Sequence, residues 1–124
     1  MNALGTELLL ELKDCNRELL NDLDYVKETL LKAALEAGAT IVGDTFHQFQ
    51  PRGVTGIVLL AESHLCIHTW PEYSFAAVDI FTCGDTVDPQ KAAHYLIQRL
   101  QSAEPSVTEL KRGMLAIPVT SSQG

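Results

Sequence analysis

Hydrophobic and polar positions recur along this chain with a period that changes several times, and each change predicts an element. Residues 4–13 (LGTELLLELK) mix apolar and polar positions in a way that fits a first strand better than a helix, although the run LLLEL satisfies either period. From Asn21 the period is helical. Leu23, Val26, Leu30, Ala33 and Ala37 recur at three- and four-residue spacing, Asn21 or Asp22 supplies the N-cap, and Gly38 marks the stop. Residues 40–49 and 54–61 are rich in β-branched and aromatic side chains, and the breaker Pro51-Arg52-Gly53 between them predicts a turn that pairs them. Residues 65–70 and 75–83 are two further strands joined by a short turn at 71–74. Asp88-Pro89 then sets a cap and a first helical position, with Ala92, Ala93, Leu96, Ile97 and Leu100 as the buried stripe of a second helix, and residues 106–112 form a last strand. The predicted order, β-α-β-β-β-β-α-β, is α+β: a two-layer sandwich in which a largely antiparallel sheet carries both helices on one face.

Length and charge narrow the function classes. A chain of 124 residues is read as a single domain, 1–124, large enough for one core and small enough that pairing with a second copy helps to bury apolar surface. The apolar run Leu8 to Leu10 is bracketed by Glu7 and Glu11, far short of a membrane span, and no basic-then-apolar leader precedes it, so no membrane partner and a cytoplasmic location are expected. Cys15, Cys66 and Cys83 are an odd number without a CxxC pair, which speaks against a disulfide framework and a structural zinc site and suits reduced thiols. A formal net charge of -7 leaves no basic surface for phosphates and argues against nucleic acid as a partner. An acidic surface suits a cationic small molecule, and it equally serves solubility alone. The polar residues 120–124 are expected to be a mobile tail.

The candidate chemistry sits in residues 62–84, ESHLCIHTWPEYSFAAVDIFTCG. Glu62-Ser63 lies between two apolar runs, and His68 and Cys83 follow. A serine hydroxyl is a weak nucleophile until a base or a strained geometry activates it, histidine takes and gives protons near neutrality, and a cysteine thiol donates a proton readily. Taken singly each has a plainer explanation: a turn serine, a half-buried strand histidine, a small apolar cysteine. If the 71–74 turn closes a hairpin, residue 70 faces 75, and counting outward brings Cys83 beside Glu62-Ser63. His68 is harder to place, because five extended residues from Ser63 span about 16 Å at about 3.3 Å each. Either the chain bends after Ser63 or a second subunit supplies its own His68.

The segments ESHLCIHTWPEY, AAVDIFTCGD, ATIVGDTFHQF and GVTGIV closely resemble the prokaryotic S-adenosylmethionine decarboxylase proenzymes, and the likeness runs over about residues 4–113. The resemblance implies two acts. Ser63 attacks the carbonyl of Glu62, the resulting ester eliminates, and hydrolysis leaves a pyruvoyl group, so the chain becomes residues 1–62 and 63–124. His68 and the hydroxyl of Thr55 assist by moving protons and polarising the carbonyl. Thr55 stands where many relatives have Ser, and the hydroxyl survives. In the second act the pyruvoyl ketone forms a Schiff base with the substrate amine, and Cys83 returns a proton after carbon dioxide leaves. The substrate implied is S-adenosylmethionine and the product S-adenosylmethioninamine, the aminopropyl donor for spermidine. Its adenine and sulfonium call for π surfaces, for which Phe49, His68 and Trp70 are candidates, and its ribose for a carboxylate, for which Glu72 is suited. By resemblance Phe49, Leu65 and Glu72 match the binding positions. Plain core packing is the simpler explanation for an aromatic residue, more so for Trp70 than for Phe49. The resemblance also implies a homodimer with a shared active site at its interface. Cys66 stands where relatives often have Thr and receives no catalytic role.

Two rivals stand beside this reading. A pyruvoyl-dependent arginine or ornithine decarboxylase keeps the chemistry, but a stacking Phe49 and a ribose-binding Glu72 would then be dispensable. A non-enzymatic metal-binding protein would use His64, Cys66 and His68 on one strand face. Positions 64 and 68 lie too far apart to share one ion, and a distant Cys83 would be needed, so no metal is expected.

Overall fold

A computed structural model describes residues 2–116. The chain runs β1 (Asn2–Lys13), α1 (Arg17–Leu20), α2 (Leu23–Glu36), β2 (Ile41–Gln48), β3 (Val54–Leu60), β4 (Ser63–Trp70), a 3-10 turn (Pro71–Tyr73), β5 (Phe75–Cys83), α3 (Pro89–Arg99) and β6 (Glu104–Leu115). The strands form one six-stranded sheet in the order β2-β3-β4-β5-β1-β6, with every neighbouring pair antiparallel. Helices α2 and α3 lie side by side on one face, α2 over β2 to β4 and α3 over β5 and β1.

The two-residue period of the strands becomes two unlike faces. Leu8, Leu10 and Leu12 of β1, Leu65 and Ile67 of β4, and Val78 and Ile80 of β5 are buried beneath the helices, whose Val26, Leu30, Ala33, Ala92, Ala93 and Leu96 meet them. Each such Leu, Ile or Val contributes about 1.5–3 kcal/mol over its exposed state. Stability therefore resides on the helix side, and the other face is free to carry polar and reactive groups. That open face presents Thr55 on β3, His64, Cys66, His68 and Trp70 on β4, and Asp79, Phe81 and Cys83 on β5, aligned by the strand registers.

Local chemistry explains the element ends. Asp22, not Asn21, caps α2 by accepting the Tyr25 N–H at 3.0 Å. Asn21 is thereby free to accept the Gly53 N–H at 2.9 Å and ties the helix start to the β2–β3 turn. Gly53 has φ 105, a conformation other residues rarely adopt. Gly56 lies under the Phe46 ring, and a Cβ there would collide with it. Asp88 caps α3 and Pro89 opens it, as its sequence predicts.

Two differences from the sequence expectation have simple causes. Helix α1 is only four residues long with one buried residue, Leu20, too short for a period to show. Strand β6 is longer than residues 106–112 because it pairs with β1 along its length, from Asn2↔Leu115 to Lys13↔Glu104. It is exposed throughout, so no alternation marks it. Residues 120–124 lie outside the described part of the chain.

Candidate active site

The predicted hairpin register is the one observed: Trp70 pairs with Phe75 and Ser63 with Thr82. One step further, the Cys83 backbone N–H donates to the Glu62 carbonyl oxygen at 2.9 Å. The β3–β4 turn is tight, with Leu60 paired to Ser63 across Ala61 and Glu62. Glu62 is held from its other side as well, because its Oε1 accepts the Thr40 N–H at 3.1 Å while Ala61 N–H donates to the Thr40 carbonyl at 2.9 Å. Ser63, the residue after this clamped carbonyl, has φ 148. Such a value on a non-glycine residue stores strain of about 1–3 kcal/mol and persists only where the surroundings impose it. The bond between 62 and 63 thus joins a carbonyl polarised by an N–H donor to a strained, half-buried serine.

A different set of residues gathers at the far end of β4. Phe49, Arg52, Thr55, His68, Trp70 and Glu72 line a cleft of about 310 Å³. Thr55 Oγ1 and His68 Nδ1 are 3.1 Å apart, joined across the β3–β4 register. Trp70 is 41% exposed, tilted against His68 at 6.3 Å and Phe75 at 5.6 Å between ring centroids. Phe49 is 46% exposed, with the His47 ring edge-on at 4.6 Å. Core packing therefore explains neither aromatic residue, contrary to the simpler expectation for Trp70: the alternation of β4 turns residue 70 to the open face. Leu65 is buried at 1% exposure on the opposite side of the strand, so any contact it makes with a ligand runs through its main chain.

The structure thus brings the candidates together in two groups. Glu62, Ser63 and Cys83 meet at the start of β4, and Phe49, Thr55, His68, Trp70 and Glu72 meet at its end. Strand β4 is continuous from Ser63 to Trp70 in its pairing with β5. The chain does not bend after Ser63, and one copy leaves His68 about 16 Å from Ser63 at the usual rise of about 3.3 Å per residue.

The sequence pattern gives His64 no part in cleavage. Its Nδ1 lies 3.5 Å from Ser63 Oγ, and its ring packs at 5.9 Å from Phe81. Strand alternation sends neighbours 63 and 64 to opposite faces, which hid this pairing. The 3.5 Å contact is made all the same, at the point where β4 leaves the tight turn.

The thiols differ in character. Burial and the nearby Asp79 carboxylate push the Cys66 thiol up, which suits a residue without proton-transfer work. Burial pushes Cys15 up to about 11, on the helix side and away from the open face. Among the described residues, no group of three or more His, Cys, Asp or Glu is arranged to hold a metal ion. Among them too, no helix is long and apolar enough to cross a membrane.

Comparison with known proteins joins these observations. Residues 6–113 match the family model described as S-adenosylmethionine decarboxylase. The chain is similar to the S-adenosylmethionine decarboxylase proenzyme of Thermodesulfovibrio yellowstonii, 56% identical over 116 residues that cover 94% of this chain and 86% of that protein. It is also similar to the proenzyme of the same description from Moorella thermoacetica, at 50% identity over 95% of this chain and 94% of the relative. Among solved structures, the adenosylmethionine decarboxylase of Aquifex aeolicus superposes with a TM-score of 0.89 at 34% identity, covering 97% of this chain and 99% of that one.

Proposed function

Because the chain belongs to the S-adenosylmethionine decarboxylase family, and is on that ground a decarboxylase made as a proenzyme, we propose that it cuts itself between Glu62 and Ser63 and then decarboxylates S-adenosylmethionine. The observation that carries this reading is the bond itself: the Glu62 carbonyl accepts the Cys83 N–H at 2.9 Å, and the serine that follows is held at φ 148. Attack by Ser63 Oγ on that carbonyl carbon replaces the amide by an ester. Loss of the Ser63 Cα proton and of the Glu62 carboxylate then leaves dehydroalanine, and water enters as ammonia departs to give the pyruvoyl group. Residues 1–62 and 63–124 remain together as one domain, since β3 and β4 stay paired in the sheet.

The residues at hand fit such a group. Position 63 opens β4, half-buried, one register step from the thiol-bearing residue 83. A pyruvoyl ketone condenses with an amine and withdraws electrons from the adjacent carbon, the service that decarboxylation needs. Cys83 Sγ holds the proton that the substrate's α-carbon receives when carbon dioxide has left. In the cleft, Phe49 and Trp70 offer π faces to adenine and the sulfonium, Glu72 accepts from the ribose hydroxyls, and Leu65 contributes main-chain polar groups. Thr55 holds His68 at Nδ1, which orients the ring for proton transfer during processing.

One copy keeps these two groups at opposite ends of β4, and a homodimer with a shared site reunites them. Strands lying across each other would set Ser63 and Cys83 of one copy beside the cleft of its partner. The product, S-adenosylmethioninamine, then serves aminopropyl transfer to spermidine. The free thiols Cys15, Cys66 and Cys83 suit a reducing cytoplasm.

Release of labelled carbon dioxide tests the substrate. Carboxyl-labelled S-adenosylmethionine is expected to give counts, whereas arginine and ornithine, which lack the groups that Phe49 and Glu72 would hold, give none. Release from either amino acid at a comparable kcat/KM would overturn the assignment.

A further inference from the structure

Self-cleavage asks for two different proton transfers. The hydroxyl proton of Ser63 must leave as Oγ attacks, and the Cα proton must leave afterwards, when the ester eliminates. His68 is about 16 Å along a continuous strand from Ser63 in the same chain, at about 3.3 Å per residue. His64 Nδ1 is 3.5 Å from Ser63 Oγ, a contact that has to shorten by a few tenths of an ångström for proton transfer. No turn, loop or second copy has to move to bring them together.

We propose that His64 is the base for the first transfer, so that the amide-to-ester step runs within a single chain, leaving only elimination to His68. The inference rests on the self-cleavage reading and divides its labour. The imidazole needs the tautomer with its proton on Nε2, leaving Nδ1 to accept. The Ser63 hydroxyl proton passes to Nδ1 as the bond from Oγ to the Glu62 carbonyl carbon forms. The Cys83 N–H, at 2.9 Å, receives the developing negative charge on the Glu62 oxygen. As the Glu62–Ser63 C–N bond breaks, the imidazolium returns the proton to the departing Ser63 nitrogen. The step is an isomerisation: no proton is gained or lost, and no second reactant enters. The positive φ of Ser63 gives the peptide strain to release.

The ring is held for this work. His64 faces Leu59 on β3 and Phe81 on β5 by register, and packs against the Phe81 ring at 5.9 Å. Both register partners are apolar, and among the described residues Ser63 Oγ is the hydrogen-bonding partner of the ring.

The test uses freshly synthesised full-length chain and denaturing mass spectrometry, with hydroxylamine as the probe, since it splits an ester and spares an amide. In His64→Asn, cleavage is expected to slow by about 100-fold or more, and the uncut chain should resist hydroxylamine. In His68→Ala the uncut chain should instead split with hydroxylamine at position 63. Added imidazole is expected to restore cleavage in His64→Gly, a rescue that an unfolded variant would not show. The assignment fails if folded His64→Asn cleaves at the wild-type rate, if its uncut chain splits with hydroxylamine, or if imidazole leaves folded His64→Gly uncut. Wild-type chain that stays whole would instead remove the self-cleavage reading, and this inference with it.

Discussion

The two ends of strand β4 share one sheet, one open face and one run of eight residues, yet they are built for different work. At the first end the backbone is the working part: a carbonyl polarised by an N–H, a serine at φ 148, a tight turn pinned by Thr40. At the far end the side chains do the work, with exposed aromatic rings, a Thr55–His68 contact and a carboxylate around a cleft of about 310 Å³. On the proposed reading the first end carries the bond to be cut, and the second offers the cleft for the nucleoside. The difference teaches that one copy keeps Ser63 and Cys83 apart from His68 and the cleft, which is why the proposed function calls on a second copy.

The sharpest way to break that comparison is complementation. His68→Ala and Ser63→Ala chains are each expected to be nearly inactive alone. Co-expressed, a mixed dimer rebuilds one intact site from the Ser63 of one chain and the His68 of the other. With random pairing, carbon dioxide release should recover to about a quarter of wild type, since half of the dimers are mixed and each has one good site. Absence of recovery in purified mixed dimers would place both ends in one chain's own site. Next in size is Cys83→Ala, which keeps the main-chain N–H but loses Sγ. Cleavage should continue, while productive decarboxylation falls by about 10²- to 10⁴-fold, the range for losing a positioned acid; full turnover would remove the thiol from its role. The smallest effect belongs to the cleft alone. Glu72→Gln is expected to raise KM about tenfold, the cost of weakening a hydrogen bond to a charged group, with the rate of self-cleavage unchanged. A slower cleavage there would mean that the two ends are not separable.

The sequence patterns were informative where a repeat spans an element. The stripes Val26-Leu30-Ala33 and Ala92-Leu96-Leu100 place α2 and α3 because each covers about two turns. The β4–β5 register followed from one turn length, and with it the proximity of Cys83 to Glu62. Helix α1 escaped because four residues with one buried position carry no period. The exposure of Trp70 favours its candidacy as a π surface over core packing, because the phase of the strand turns this large ring outward. His64 escaped because strand alternation assigns it to the face opposite Ser63, and a contact between neighbours at the end of a turn leaves no mark in the sequence pattern.

Everything in the account depends on a ketone made from Ser63, and the mass of the purified wild-type chain under denaturing conditions reports on it directly. Two fragments are predicted, residues 1–62 with an ordinary carboxyl end and residues 63–124 beginning with a pyruvoyl group, the second about 17 Da lighter than a serine-ended fragment by exchange of the amine and hydroxyl for a ketone. A single intact chain that releases carbon dioxide, or a second fragment beginning with ordinary serine, would contradict it.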